Sequence, residues 1–301
     1  MTSWNRTLYP FEDHYFVHRG LKLHYLDEGR GDPVIMLHGN PTWSFYFRNL
    51  VLALRGSHRC IVPDHIGCGM SDKPDDRQYD FRLKSRVDDL ERLLDHLNVQ
   101  SPVTLVLHDW GGIIGMAWAV RHPQMIGRLV ILNTAAFPLP PSKKLPWTLW
   151  LARNTRLGAW LVLRWNAFCL GAARWCVTRS PLAREVRQAL LAPYDTPANR
   201  LAVLRFVQNV PLGPRDPGYD IIKDVESKLR LFENTPKLIC WGMRDFVFDP
   251  QFLEIWRHHW PSAKVVEFPD CGHYILEDDA EAVVYEVSKF LESTPAIPSG
   301  A

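Results

Sequence analysis

The 301-residue sequence lacks the marks of several protein classes. No uninterrupted apolar run reaches the roughly 18–20 residues that span a bilayer. The opening Met1-Thr2-Ser3-Trp4-Asn5-Arg6 has no apolar stretch of a secretory leader. Neither charge is in excess: 35 Lys and Arg against 33 Asp and Glu leave +2. That balance argues against a nucleic-acid partner, which calls for a strong basic surplus. The six cysteines (Cys60, Cys68, Cys169, Cys176, Cys240, Cys271) include no Cys-x-x-Cys pair. In a chain this long they read as reduced thiols of a cytoplasmic protein, not as a disulfide framework. Repeats and low-complexity tracts are absent. With 47% hydrophobic and 23% charged residues the chain is too apolar to be disordered. Its length suits one large domain, or one domain carrying an insertion.

What is present alternates. Residues 21–26 read as a half-exposed strand, and Val34-Ile35-Met36-Leu37 as a buried one ending at His38-Gly39. Further apolar runs lie at 59–63, 103–107, 128–132, 237–242 and 264–268. Leu or Val at 83, 87, 90, 93, 94 and 97 is helical spacing. A second helix is expected from about Gly111, and a third over about 280–292. Strands alternating with helices predict an α/β domain with a mostly parallel sheet.

Residues 138–210 differ. A cluster of prolines (Pro138, Pro140, Pro141, Pro146) opens the stretch, and it contains no strand-like run. It carries eleven Lys and Arg against only Glu185 and Asp195, a net +9 that leaves the rest of the chain at −7. It also holds five of the twelve tryptophans: Trp147, Trp150, Trp160, Trp165 and Trp175. The stretch reads as a helical cap inserted between two core strands, over the sheet edge where open α/β sheets bind ligands. The domain plan is a core of 1–137 and 211–301 with a cap of 138–210. The cap tryptophans are expected mostly in its core, with Trp147, Trp150 and Trp160 as candidates to line a tunnel for an alkyl chain. Its basic charge reads either as a solvated face or as a dock for an acidic partner or an anionic membrane surface.

Three residues stand just after core strands: Asp109, Asp245 and His273, in the chain order nucleophile, acid, base of an α/β-hydrolase triad. In place of Gly-x-Ser-x-Gly the elbow reads Leu107-His108-Asp109-Trp110-Gly111, so the nucleophile position holds a carboxylate. A single Asp at a strand end is ordinarily a helix cap; the ordered trio carries the functional reading. Asp64, Gly67, Gly69 and Ser71 read as turn formers and His108 as a packed neighbour. The Gly111-Gly112-x-x-Gly115 run lacks the first glycine of a dinucleotide fingerprint. His258-His259 has no third ligand nearby in sequence, so no metal is expected.

Three segments bring in a family. His38-Gly39-Asn40-Pro41-Thr42, Asp64-His65-Ile66-Gly67-Cys68-Gly69-Met70-Ser71-Asp72-Lys73-Pro74 and His108-Asp109-Trp110-Gly111-Gly112 resemble the haloalkane dehalogenases, over about residues 15–292. One branch of that family places a Glu just after the strand at 128–132. Here the stretch reads Asn133-Thr134-Ala135-Ala136-Phe137, so Asp245 serves as the acid. With Asn40 before Pro41, the pattern resembles the third subfamily. That subfamily overlaps the β-lactone decarboxylases of bacterial long-chain olefin synthesis. The segments 133–140, 206–212 and 245–249 are similar to that group in particular.

The resemblance implies an α/β-hydrolase fold and no cofactor. It implies Asp109 as nucleophile, attacking the lactone at either the ring carbon bearing oxygen or the carbonyl, His273 and Asp245 as the supporting pair, and Asn40 and Trp110 as donors to an oxyanion or leaving anion. The substrate it implies is a hydrophobic cis-3,4-dialkyl β-lactone, converted to a cis-alkene and CO2, with assembly alongside other olefin-pathway enzymes. The alternative is hydrolytic dehalogenation by the same five residues. The chemistry agrees with a carboxylate nucleophile: attack on an sp³ carbon leaves an ester that can be cleaved or expelled, where a serine would leave an ether. An epoxide hydrolase fits less well, because Tyr194 is the only tyrosine in 138–210.

Overall fold

In a computed structural model the chain is described over residues 7–100 and 102–295; residues 1–6, read above for a leader, lie outside the described residues. The strands are β1 (His14–His18), β2 (Leu21–Glu28), β3 (Asp32–Leu37), β4 (His58–Pro63), β5 (Val103–Asp109), β6 (Ile126–Thr134), β7 (Lys237–Gly242) and β8 (Lys264–Phe268). They form one sheet in the order β1-β2-β4-β3-β5-β6-β7-β8. The pairs β1/β2 and β2/β4 are antiparallel and the rest are parallel. The apolar runs named above all lie in strands, some extended by a few residues. Strand β1 is an addition: His14-Tyr15-Phe16-Val17-His18 buries no residue fully, so no apolar run marks it.

The helices are α1 (Arg48–Leu54), α2 (Leu83–His96), α3 (Trp110–Ala119), α4 (Trp147–Asn154), α5 (Arg156–Trp165), α6 (Ala167–Trp175), α7 (Arg184–Leu191), α8 (Leu201–Gln208), α9 (Tyr219–Lys228), α10 (Pro250–His259), α11 (Ile275–Asp278) and α12 (Ala280–Ser293). The side-chain alternation of a strand sorts the interior into two layers. Ile35, Leu37, Leu105, Leu107, Leu129, Ile131 and Ile239 face a core shared with α2, α3, α9 and α10. Val34, Met36, Val106, Val130, Leu132, Leu238 and Cys240 face the other, shared with α1 and α12. Strands β5, β6 and β7 are buried at every position, as a parallel sheet covered on both faces requires. All six cysteines are free and buried.

Helices α4–α8 lie between β6 and β7 and have a small core of their own, built from Ala152, Val162, Cys169, Tyr194, Val203, Leu204 and Val207. The placement expected for the tryptophans is overturned. All five are exposed, from 48% at Trp160 to 75% at Trp147. In α4 and α5 the inward positions are taken by Ala152, Gly158 and Val162, which leaves Trp147, Trp150 and Trp160 on the outward stripe. None of those three lines the internal cavity; of the five, only Trp175 does.

Candidate active site

The site forms where β5 stops. Asp109 sits at φ 50°, ψ −124°, a conformation that costs a non-glycine residue on the order of 1–3 kcal/mol. The β5/β6 register slips between His108 and Asp109, which turns the side chain upward from the sheet. Helix α3 begins at the next residue, so its positive end lies beneath the carboxylate. Two close approaches make the turn fit. A Cβ at Gly111 would collide with the Leu37 carbonyl, and one at Gly39 with the Asp109 carboxylate itself. The Thr134 hydroxyl, at the end of β6, donates to the Asp109 carbonyl and fixes the elbow from the far side.

The two carboxylate oxygens of Asp109 have different surroundings. Oδ1 accepts the Asn40 backbone N–H at 2.7 Å. Oδ2 faces His273 Nε2 at 3.6 Å. The other ring nitrogen, Nδ1, donates to Asp245 Oδ2 at 2.7 Å. Asp245 Oδ1 accepts the N–H groups of Val247 and Phe248 at 2.7 and 3.1 Å. Asp109, Asp245, His273 and Asn40 are all buried. Burial alone would strip His273 of its proton, but the charges and hydrogen bonds of Asp245 and Asp109 outweigh it and raise its pKa to about 10. Burial works against the Asp109 charge as well; the neighbouring His273 ring, 3.6 Å away, with the Asn40 N–H, holds its pKa below the usual value. The row thus sets one imidazole between two carboxyl groups, an arrangement that favours a protonated ring.

Of the residues singled out from the sequence, Asn40 and Trp110 also reach this place. Both line the cavity with Asp109 and His273. The Asn40 side-chain Nδ2 donates to Val203 O of α8 at 3.1 Å, which fixes the amide orientation and ties this loop to the cap. Trp110 packs on Phe206 with ring centroids 5.1 Å apart. Its indole N–H has no protein acceptor among the described residues. His108 is a packed neighbour: it lies 4.5 Å from Tyr46 and 4.7 Å from His273 between ring centroids. Its Nε2 donates to the His273 carbonyl at 2.9 Å. Burial, and then the His273 charge, lower its pKa to about 3, so it is neutral. Asp64 is structural too, accepting from Ser44 N, Met70 N and His24. Tyr194, the cap tyrosine, is buried and donates to Thr42 O, away from the cavity.

One contributor escaped the sequence reading. Asn133, noted there because it is not an acid, stands at φ 35° at the end of β6. Its Nδ2 donates to Asp245 Oδ2 and to the Gly242 carbonyl, both at 3.0 Å, and its Oδ1 accepts the Gly242 N–H at 2.8 Å. The side chain thus ties the end of β6 to the end of β7 and seats the acid. The signal lay in the pairing of two neighbouring parallel strands that end at one edge, with an amide at the end of the first and a carboxylate after the second.

Above the carboxylate lies a cavity of about 200 Å³. Its walls are apolar: Ile113, Phe137, Leu139, Leu149, Phe168, Val207, Leu212 and Phe248 among others. Polar side chains come from Asn40, Asp109, Trp110 and His273 at the floor and from Thr148 in α4. The arrangement presents one carboxylate oxygen to an apolar space.

A buried carboxylate at a strand-to-helix elbow, a His–Asp pair behind it and a helical layer over a mostly parallel sheet are features of α/β-hydrolase enzymes. Residues 32–280 match the alpha/beta hydrolase fold, and the chain belongs to that family. It is 55% identical over 291 residues to a cis-3-alkyl-4-alkyloxetan-2-one decarboxylase of Shewanella oneidensis, covering 97% of this chain and 92% of that protein. It is 47% identical over 286 residues to the protein of that name in Xanthomonas campestris, covering 93% and 95%. A haloalkane dehalogenase 2 of Mycobacterium tuberculosis is 32% identical over 288 residues, covering 92% and 93%. Among solved structures, a haloalkane dehalogenase of Bradyrhizobium elkani superposes with a TM-score of 0.83 at 27% identity, covering 94% of this chain and 98% of that one.

Proposed function

We propose that this enzyme is a cis-3-alkyl-4-alkyloxetan-2-one decarboxylase, with Asp109 as nucleophile. The observation that carries the reading is the asymmetric Asp109 carboxylate at the floor of an apolar cavity: Oδ1 clamped by the Asn40 N–H, Oδ2 free to react. The two near-full-length relatives named for this activity support the substrate class. The core is 1–137 with 211–301, and 138–210 caps it.

The reaction balances without water or cofactor. Oδ2 attacks the ring carbon bearing oxygen, the C–O bond breaks, and its electron pair leaves on a carboxylate. The bond to that carboxylate carbon then breaks, its electrons form the alkene, and the Asp109–carbon bond returns its pair to Asp109. Inversion in the first step and anti elimination in the second turn a cis-lactone into a cis-alkene. The imidazolium of His273, held by Asp245, balances the negative charge that passes from Asp109 to the released carboxylate. The Trp110 indole N–H and the second Nδ2 proton of Asn40 are the donors for that carboxylate. The apolar walls exclude water, which would otherwise hydrolyse the ester. Other enzymes of olefin synthesis are the partners this reading implies.

Hydrolytic dehalogenation is the second reading, favoured by the dehalogenase-like fold. Incubation with a cis-dialkyl β-lactone and, separately, with 1-bromobutane separates the two. Alkene release with negligible bromide is the expected result. Bromide release with intact lactone overturns the assignment.

A further inference from the structure

The outer surface of the cap has no evident role in the reaction. Helices α4, α5 and α6 follow one another with single-residue joints at Thr155 and Asn166. Each turns one stripe outward: Trp147 and Trp150 in α4, Arg156, Leu157, Trp160 and Arg164 in α5, Leu170 and Arg174 in α6. Trp165 and Trp175, at the ends of α5 and α6, are exposed as well. Trp160 and Trp165 meet edge to face, with centroids 6.0 Å apart, and both remain open to solvent. Such a concentration of exposed indoles is unusual for a surface in contact with water alone.

Charge points to what covers it. Residues 138–184 contain no Asp or Glu and eight Lys and Arg. Lys143, Arg153 and Arg179 are neutralised by Asp249, Asp216 and Asp279 from outside the cap. Arg156, Arg164 and Arg174 are exposed and pair with no carboxylate among the described residues. Indole rings favour the boundary between headgroups and acyl chains, and guanidinium groups favour anionic headgroups.

The cavity opens toward the same face. Its lining includes Leu145, Pro146, Thr148 and Leu149 around the start of α4, the inner side of α6, and Phe246. Two large lining side chains, Trp175 and Phe246, are themselves exposed and so mark the mouth. Trp175 belongs both to the mouth and to the aromatic face.

We propose that the outer face of α4–α6 docks on an anionic lipid bilayer, with the cavity mouth turned to the membrane. A hydrophobic substrate would pass between acyl chains and cavity without crossing water. Docking is independent of the reaction assigned above and is tested without turnover. Purified full-length protein is mixed with vesicles of phosphatidylcholine alone or with 30% phosphatidylglycerol, and binding is read by co-sedimentation and by quenching of tryptophan with brominated acyl chains. The expected result is binding to the anionic vesicles only. It should weaken roughly tenfold or more at 0.5 M salt, and roughly tenfold in the double variant Trp160→Ser with Trp165→Ser. Neither residue lines the cavity, so turnover of a detergent-dispersed substrate stays at the wild-type rate. Binding to neither vesicle, or equally to both, overturns the proposal. So does self-association or capture of a partner protein that the double variant abolishes while vesicle binding is absent.

Discussion

The two walls of the cavity are built on opposite principles. On the sheet side the polar atoms are held by several partners each: Asp245 accepts from His273, Asn133, Val247 and Phe248, and Asp109 from Asn40 with its elbow fixed by Thr134. On the cap side the inner surface is apolar, the helices share a core of seven buried residues, and most charges point outward, Arg200 being buried against three backbone carbonyls. On the reading proposed above, the sheet wall fixes where a bond is made, which tolerates little movement. The cap wall sets what reaches that bond, and a wall of Leu, Phe, Val and Trp can adapt to chain length. Chemistry should therefore be sensitive to single atoms on one side and nearly indifferent on the other.

The largest expected break is Asp109→Ala. It should reduce alkene formation by about four orders of magnitude or more while leaving the fold intact, measured by product yield and circular dichroism. Next comes His273→Gln, which removes the cation and should cost about 10²–10⁴ in kcat with a small change in KM. Asn133→Ala should follow. It leaves the Gly242 backbone and one Asp245 oxygen short of a partner in a buried place, at about 1–3 kcal/mol of stability by denaturant titration. Its kcat should fall more than its KM changes, because the acid is less firmly seated. At the small end, Trp160→Ser should move stability by less than about 0.5 kcal/mol, since the ring is exposed. An effect on kcat of Trp160→Ser as large as that of Asn133→Ala would erase the contrast.

How much of this was readable in advance divides along the same line. Sheet strands announce themselves as apolar runs, and the site residues follow closely behind them: Asp109 after 103–107, Asp245 after 237–242, His273 after 264–268. Strand β1 left no trace, because its alternating half-exposed residues bury too little. Asn133 was hidden for another reason: its function lies in a pairing with β7, about a hundred residues away. In the cap, a count of tryptophans does not say which side of a helix each occupies. Trp147, Trp150 and Trp160 were expected inward on composition alone, and small residues (Ala152, Gly158) took the interior.

Acid and base sharpen the contrast further, because the histidines of the sheet side fall into two sets. Burial opposes the charge on His24, but Asp64 and Asp13 raise its pKa to about 9, and His273 is raised to about 10. Both groups stabilise the fold fully below the unfolded value of 6.5 and lose that contribution as pH rises through about 9 to 10. His38, His65 and His108 are buried neutral with lowered pKa, so they oppose folding as pH drops below 6.5. Thermal stability should peak near pH 6.5 and fall on both sides. Replacing His24 by Gln should flatten the alkaline limb; an unchanged slope above pH 8 would show that the His24–Asp64 pair contributes nothing there.

The most direct test follows the oxygens of Asp109. Multiple turnovers of a cis-dialkyl β-lactone are run in H2¹⁸O, and the peptide containing Asp109 is weighed. Attack at the ring carbon followed by elimination returns both original oxygens, so the peptide should stay unlabelled while alkene accumulates. Incorporation of ¹⁸O into Asp109, with a hydroxy acid in place of alkene, would show that water cleaves the ester and would contradict decarboxylation at this site.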